Sequence, residues 1–192
     1  MTDNEHSIAT YLSDMLALER HIRIPFEAQL KDDDFSDFGS AKQIVSRLTS
    51  LSERHIANLD GALKAAGGHE ASPLKSAVSQ FEGLVAGVID KVRKTKVSKA
   101  LRDDYTALAL CTASYTMLHA TASAMGKNTV ATLAIGHLED YTKCVMDIAE
   151  ALPAVVIKEL QSIGMNVDAG AIGQSVEATQ RAWRPDATTP TV

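Results

Sequence analysis

The chain has 192 residues, of which 45% are hydrophobic, 22% charged and only 5% aromatic. Its net charge of −5 argues against a general nucleic-acid binder, because such proteins present a basic surface. Runs of β-branched and aromatic residues, which strands prefer, are absent. A chain of this length suits one domain with a sizeable core, and its composition predicts an all-α fold.

The sequence shows no sign of secretion or membrane insertion. It begins MTDNEHS, with acidic residues where a secretory leader has its basic region. No apolar run approaches the ~18 residues that a bilayer span requires. Cys111 and Cys144 lie far apart and outside any Cys-x-x-Cys pair, which favours reduced thiols. We expect a cytoplasmic protein with no membrane partner.

The first predicted helix spans residues 4–30. Pro25 should kink it or end its regular part, because proline lacks the amide hydrogen and clashes with the preceding turn. Glu19 lies on the apolar stripe of this helix, where a solvated glutamate fits poorly, so we expect it to have a buried polar role. An acidic loop is expected at residues 31–39.

The second predicted helix spans residues 40–66, with Ser40 as its cap and a stop signal at Gly67. His55 lies on its apolar stripe. The position three residues earlier, where a di-iron helix supplies a glutamate, is occupied by Ser52. This histidine is therefore either a hydrogen-bonded core residue or a metal ligand.

A further helix is predicted at residues 73–92, opened by Ser72 as cap and Pro73 at the first position. It ends in a basic run at residues 91–99. We expect that run to form a solvated helix junction or to pair with the acidic residues 32–34.

The third principal helix is predicted at residues 98–125 and closed by Gly126. No carboxylate occurs between Asp104 and His119. Tyr115 and His119 are four residues apart and so share one face. Three interpretations stay open: the two side chains hydrogen-bond each other, they reach a metal, or the Ala/Ser/Thr-rich stretch only permits close helix approach, which is the more common case.

The fourth principal helix is predicted to start at a cap formed by Asn128 and to end before Pro153. His137 and Asp140 stand three residues apart on its inner stripe, next to Tyr141. This spacing suits either a shared ion or a hydrogen bond that fixes the histidine ring.

Beyond Pro153 we expect a short helical piece through residue 163 and then a tail with one helical segment at 172–183. Residues 185–192 are expected to be disordered. The predicted division is a helical bundle at residues 1–164 and a C-terminal extension at 165–192.

The four long stripes predict an antiparallel four-helix bundle, with helix 73–92 packed outside it or across one end. Polar residues near the middle of each stripe should meet in the core, where burial is costly unless they are paired or hold a metal. The candidate metal ligands are Glu19, His55, His137 and Asp140, with Ser52, Tyr115, His119 and Tyr141 as polar core neighbours.

The chain resembles the YciF-type family of ferritin-like proteins, small bacterial proteins associated with stress responses. The resemblance covers about residues 11–152. It rests on the Leu-Glu-Arg turn around Glu19, the Ser-Glu-Arg-His turn ending at His55, the additional helix before the third, and the Ala-Met-Gly sequence ending at Gly126. It implies a ferritin-like bundle with two metal ions, held by a Glu of helix 1, a Glu and a His of helix 2, and carboxylates of helices 3 and 4.

Carried over position by position, Glu19 and His55 match the family's ligands. Ser52 stands at the glutamate position of helix 2, helix 3 offers no acid, and helix 4 offers His137 and Asp140. Two divalent ions need several carboxylates to offset their charge. The sequence therefore argues against a full di-iron centre and against conventional ferroxidase activity.

Three functions stay open. The first is a non-catalytic structural or interaction protein in which the metal centre is lost. The second is an oxidase-like or metal-storage protein with one Fe or Zn ion on the reduced ligand set. The third is a bundle that binds a small ligand over its polar core. We also expect a homodimer, formed through a second apolar strip on helix 4 that comprises Ile135, Leu138, Val145, Ile148 and Leu152.

Overall fold

A computed structural model describes residues 3–68 and 96–183, and within these two ranges every regular element is helical. The all-α prediction is confirmed. None of the helices in the described ranges has the length and hydropathy that crossing a membrane would take. The helices are α1 (Asp3–Leu30), α2 (Gly39–Ala65), α3 (Val97–Ala124), α4 (Asn128–Ser162) and α5 (Ala171–Trp183), with a short 3₁₀ turn at Asp33–Phe35.

Helices α1 to α4 form a four-helix bundle in which α1 packs against α2 and α3, and α4 packs against α3 and α2. Gln29, near the end of α1, hydrogen-bonds Asp104, near the start of α3. Glu19, in the middle of α1, contacts Tyr115, farther along α3. These pairs run in opposite orders along the two helices, so α1 and α3 are antiparallel.

Contacts between α2 and α4 show the same reversed order. Arg47 pairs with Asp147, while Asn58, farther along α2, meets His137, earlier in α4. Short turns join α1 to α2 and α3 to α4, so α2 and α3 point in the same direction. The end of α2 and the start of α3 therefore lie at opposite ends of the bundle.

Helix α4 differs from its prediction because it does not end before Pro153 but continues to Ser162. Proline removes one amide donor and disfavours the helix interior, yet packing of the following turns against the bundle maintains the helix. The extra turns bring Glu159 to the start of α3. There its Oε1 accepts hydrogen bonds from the backbone N–H of Val97 at 2.7 Å and of Ser98 at 3.2 Å.

The predicted N-termini of two helices, with caps at Ser40 and Asn128, also need correction. Helix α2 begins one residue earlier, at Gly39, and Asn128 is the first residue of α4 rather than its cap; neither helix has a side-chain cap. Pro25 lies inside α1, so the helix does not end there but continues to Leu30. The stop signal at Gly67 is confirmed, since this residue adopts φ of 70°, a conformation that glycine tolerates best.

The predicted helix at 73–92 and the terminal residues 185–192 lie outside the described residues. The expected acidic loop contains the 3₁₀ turn, which buries Phe35. Of the pairings expected for the basic run, Lys96 meets Asp34 with 2.7 Å between Nζ and Oδ2.

The second apolar strip predicted on α4 is not a free surface. Ile148 is fully buried in the bundle core, and Leu138, Val145 and Leu152 pack against that core. These side chains belong to the fold of one chain, so the strip gives no support to a dimer.

Candidate functional site: the polar core

Glu19 lies at the centre of the bundle and is completely buried. Its Oε1 accepts a hydrogen bond from the Tyr115 hydroxyl at 2.5 Å and faces His55 Nδ1 at 3.1 Å, while its Oε2 accepts from the Tyr141 hydroxyl at 2.5 Å. Ser52 donates to the backbone carbonyl of Glu19 at 3.2 Å. Residues from all four bundle helices thus converge on one glutamate.

His55 is also fully buried and bridges Glu19 to Asp140. Its Nε2 lies 3.1 Å from Asp140 Oδ2, which also pairs with Arg54. Burial raises the pKa of Asp140, but the hydrogen bonds from His55 and Arg54 outweigh it and hold that pKa below its usual value. Asp140 is partly exposed, so the polar core reaches the surface at this point.

His137 completes the polar core and stacks on His55. Its Nδ1 lies 3.0 Å from the Tyr115 hydroxyl, and its Nε2 lies 3.2 Å from Asn58 Nδ2. Burial, and next the charge of His55, lower the pKa of His137 to about 3. This ring is therefore neutral at physiological pH.

The hydrogen bonds assign a proton to each group. Tyr115 gives its proton to Glu19, so it accepts from His137 Nδ1–H, and His137 Nε2 then accepts from the amide of Asn58. His55 faces a carboxylate oxygen at each nitrogen, and ionised carboxylates only accept. Both ring nitrogens can donate a hydrogen bond at the same time only when the ring carries two protons. Arg54 places a positive charge beside Asp140 at the edge of this cluster.

The two tyrosines are held as neutral donors. Burial, followed by the charge of Glu19, raises the pKa of Tyr115 and Tyr141 well above the usual value. Both hydroxyls donate to the Glu19 carboxyl group, one to each oxygen. The polar core is therefore a connected set of hydrogen-bond donors and acceptors inside an apolar bundle, and it reaches the surface at Asp140.

The structure brings seven of the eight residues singled out from the sequence into this cluster. His119 does not join it: it is half-buried, while its neighbour Leu118 is fully buried. Within residues 3–68 and 96–183, no three histidine, cysteine, aspartate or glutamate side chains are grouped so that they could hold a metal ion. The metal role of Glu19, His55, His137 and Asp140 stays a prediction.

Sequence reasoning missed two further buried carboxyl groups. Asp104 accepts from Gln29 Nε2 at 2.8 Å, and burial raises its pKa to about 7. Glu159 caps α3 through one oxygen. The signal for Asp104 was its spacing, three residues after Leu101 and four before Leu108, which are both fully buried.

Comparison with known proteins bears on the fold alone. No protein-family model matches the chain, and no curated protein matches it. A crystal structure of a protein from Xanthomonas campestris pv. campestris is similar, with a TM-score of 0.68 and 16% sequence identity, over 85% of this chain and 100% of that one. At this identity the likeness shows a shared helical fold and assigns no activity.

Proposed function

We propose that this chain is a ferritin-like bundle protein of the YciF type in which a hydrogen-bonded polar core takes the place of the metal centre. In this proposal it is a non-catalytic cytoplasmic protein with a structural or interaction role in a bacterial stress response. One observation carries the non-catalytic assignment. The ring nitrogens of His55 and His137 and the carboxylates of Glu19 and Asp140 already have hydrogen-bond partners inside the protein.

The bundle topology supports the ferritin-like part of the proposal. Ferritin-like bundles have one long crossover connection, and here α2 and α3 run parallel, so the end of α2 and the start of α3 lie at opposite ends of the bundle. Tyrosine hydroxyls from α3 and α4 contact Glu19 where a di-metal bundle would direct carboxylates into its core. A metal would have to displace protons from His55 and break the contacts of two tyrosines with Glu19.

The test is metal content together with iron oxidation. Protein purified without a histidine tag from Fe- and Zn-supplemented cells should contain far less than one metal ion per chain by elemental analysis. Addition of Fe(II) under anaerobic conditions, followed by oxygen, should give ferric absorbance no faster than a protein-free blank.

A matched pair of variants locates any metal that is found. Glu19→Ala removes the central carboxylate, while Glu139→Ala removes an exposed one on α4. Oxidation of two irons per chain that Glu19→Ala abolishes and Glu139→Ala leaves intact would overturn the non-catalytic assignment.

A single Fe or Zn ion is the second candidate, favoured by one distance. His55 Nε2 and Asp140 Oδ2 are 3.1 Å apart, close to the roughly 3.4 Å that separates two ligands of a tetrahedral zinc ion. Arg54 competes for the same carboxylate. If a metal site is latent here, Arg54→Ala should increase Zn²⁺ affinity in calorimetric titration, and Asp140→Asn in that background should abolish binding.

The proposed assembly is a homodimer. Light scattering at micromolar concentration should give a mass of twice 20.5 kDa. A mass of one chain would remove the dimer from the proposal and leave the assignment of the polar core unchanged.

A further inference from the structure

A groove of about 630 Å³ lies where the C-terminal helix α5 crosses the ends of α3 and α4. This volume is in the range of about 300–1,000 Å³ that small-molecule sites occupy. Its α4 wall is aliphatic, and the rings of Tyr105 and Trp183 meet edge to face at its other end, 6.2 Å between centroids. The aliphatic wall is formed by Leu152, Pro153, Val156 and Ile157.

Large apolar side chains in this groove stay in contact with solvent. Val156 is 39% exposed and Trp183 is 40% exposed. Burying apolar surface contributes about 25 cal/mol per Å² to the free energy of binding. An apolar chain that lies along this wall and covers these two side chains would therefore be stabilised.

One edge of the groove carries positive charge from the first turns of α3. Arg102 is held by its neighbour Asp103 at 2.7 Å. Lys99 is half-buried beside the apolar wall and has no carboxylate partner among the described residues. An ammonium group with its stem along apolar surface and its head at the rim is complementary to an anionic headgroup.

Helix α5 covers the groove loosely. None of its residues is fully buried, and only a few side chains, such as Ile172, Val176 and Thr179, are half-buried. Gln180 Nε2 of this helix donates a hydrogen bond to Glu150 Oε1 of α4 at 3.2 Å. Few buried apolar contacts give a segment low local stability, so α5 is suited to move aside for a ligand.

We propose that this groove binds a free medium-chain aliphatic carboxylate. The acyl chain lies along Leu152, Val156 and Ile157 under α5, and the carboxylate pairs with Lys99. The observations that carry this are the aliphatic wall, the exposed apolar side chains, and an ammonium group at one edge that has no carboxylate partner within residues 3–68 and 96–183.

The test uses Trp183, the single tryptophan of the chain, as a reporter inside the groove. Full-length protein is titrated with sodium decanoate below its micellar concentration, and tryptophan emission is recorded. We expect a saturable change in emission, and weaker binding of decanol, which has the same chain without the charge.

Two variants locate the site. Lys99→Gln should weaken decanoate binding about fivefold, since a partly exposed ion pair contributes about 1 kcal/mol, and should leave decanol binding unchanged. Val156→Glu, which places a carboxylate on the wall, should abolish decanoate binding. Lys42→Gln, an exposed lysine on α2, is the matched control and should bind like the parent.

Circular dichroism at 222 nm accompanies each titration to show that the variants are folded. The proposal is overturned if decanoate leaves the emission unchanged, or if Lys99→Gln and Val156→Glu bind as tightly as the parent. It is also overturned if emission responds to phosphatidylglycerol vesicles but not to free decanoate, because the groove would then be a membrane contact.

Discussion

The rings of His55 and His137 stack in nearly parallel planes, with 3.7 Å between centroids and 13° between planes. Two imidazolium ions at that distance would repel strongly. The surroundings of the two rings differ, and the difference avoids this repulsion. His55 lies between two carboxylates, whereas His137 lies between a tyrosine hydroxyl and an amide. The environment of His137 is the one that keeps its ring neutral.

His137 should therefore stay neutral, as the Nδ1–H tautomer, throughout the range in which a free histidine titrates. Its pKa is lowered to about 3, so its ring ¹⁵N shifts should not move between pH 8 and pH 5 in NMR spectra. His6, near the start of α1, is exposed and serves as the internal control. A His137 titration midpoint near 6.5 would contradict the stacked arrangement.

The same shift predicts a direction for stability. The unfolded chain takes up a proton at His137 near pH 6.5, and the folded chain does so only near pH 3. The free energy of unfolding should therefore fall as pH decreases through this window. Urea unfolding at pH 7 and pH 5 should show the loss, and His137→Gln should reduce it.

Removing either tyrosine hydroxyl from Glu19 should destabilise the protein. A hydrogen bond to a charged group contributes about 1.5–3 kcal/mol, so Tyr141→Phe should cost about 2 kcal/mol in urea unfolding. Tyr115→Phe should cost more, because it also leaves His137 Nδ1 without an acceptor.

The control for these variants is Tyr11→Phe. Tyr11 is only partly buried against the core and belongs to no hydrogen bond of the polar core. Its loss should change stability by less than about 0.5 kcal/mol. Equal effects of all three substitutions would show that the ring, and not the hydroxyl, matters at these positions.

Glu19→Gln should be the most damaging of the conservative changes in the polar core. The amide keeps the shape of the carboxyl group but has no charge. Its NH₂ group is a donor that faces the donors that now contact Glu19, which are Tyr115, Tyr141 and His55. Breaking a buried ion pair costs about 3–5 kcal/mol, to be measured by urea unfolding. Glu53→Gln, at an exposed glutamate, should stay within about 0.5 kcal/mol of the parent.

The bundle and most of its polar core follow from helical periodicity. Glu19, His55 and His137 each have buried neighbours at helical spacing, and packing those neighbours forces the polar group inward. These neighbours are Met15, Leu16 and Ile22 around Glu19, Leu51 and Leu59 around His55, and Ala134 and Tyr141 around His137. The same spacing could not show that Asn58 and Arg54, exposed residues of α2, reach across to α4. Their contacts depend on the relative rotation of two helices.

The error at His119 has a simple cause. His119 is predicted from the sequence to be a polar neighbour of the core, whereas the residue buried at this turn of α3 is Leu118. The buried positions repeat with alternating steps of three and four residues. A prediction that is one residue out of phase places the side chain 100° away around the helix. The extension of α4 past Pro153 was missed because tertiary packing overrides the local cost of proline.

Asp104 provides the sharpest pH test. Its Oδ1 accepts from Gln29, while its Oδ2 and the Oε1 of Gln29 are buried without a hydrogen-bond partner. Burial raises its pKa from 3.8 to about 7, so the folded protein holds a proton there that the unfolded chain releases. The contribution of Asp104 to the free energy of unfolding is fully present below pH 4 and is lost as the pH rises through 7. The full loss is on the order of 4 kcal/mol.

Asp104→Asn should remove this loss, because an amide has no charge to desolvate and its N–H can donate to the free Oε1 of Gln29. The difference in unfolding free energy between variant and parent, measured in urea at pH 5 and pH 8, should therefore grow in favour of the variant as pH rises. Asp103→Asn is the neighbouring control; it removes the charge that adds to the shift and should give a smaller change of the same sign. A variant less stable than the parent at pH 8 would mean that Asp104 is ionised and fully paired in the folded protein.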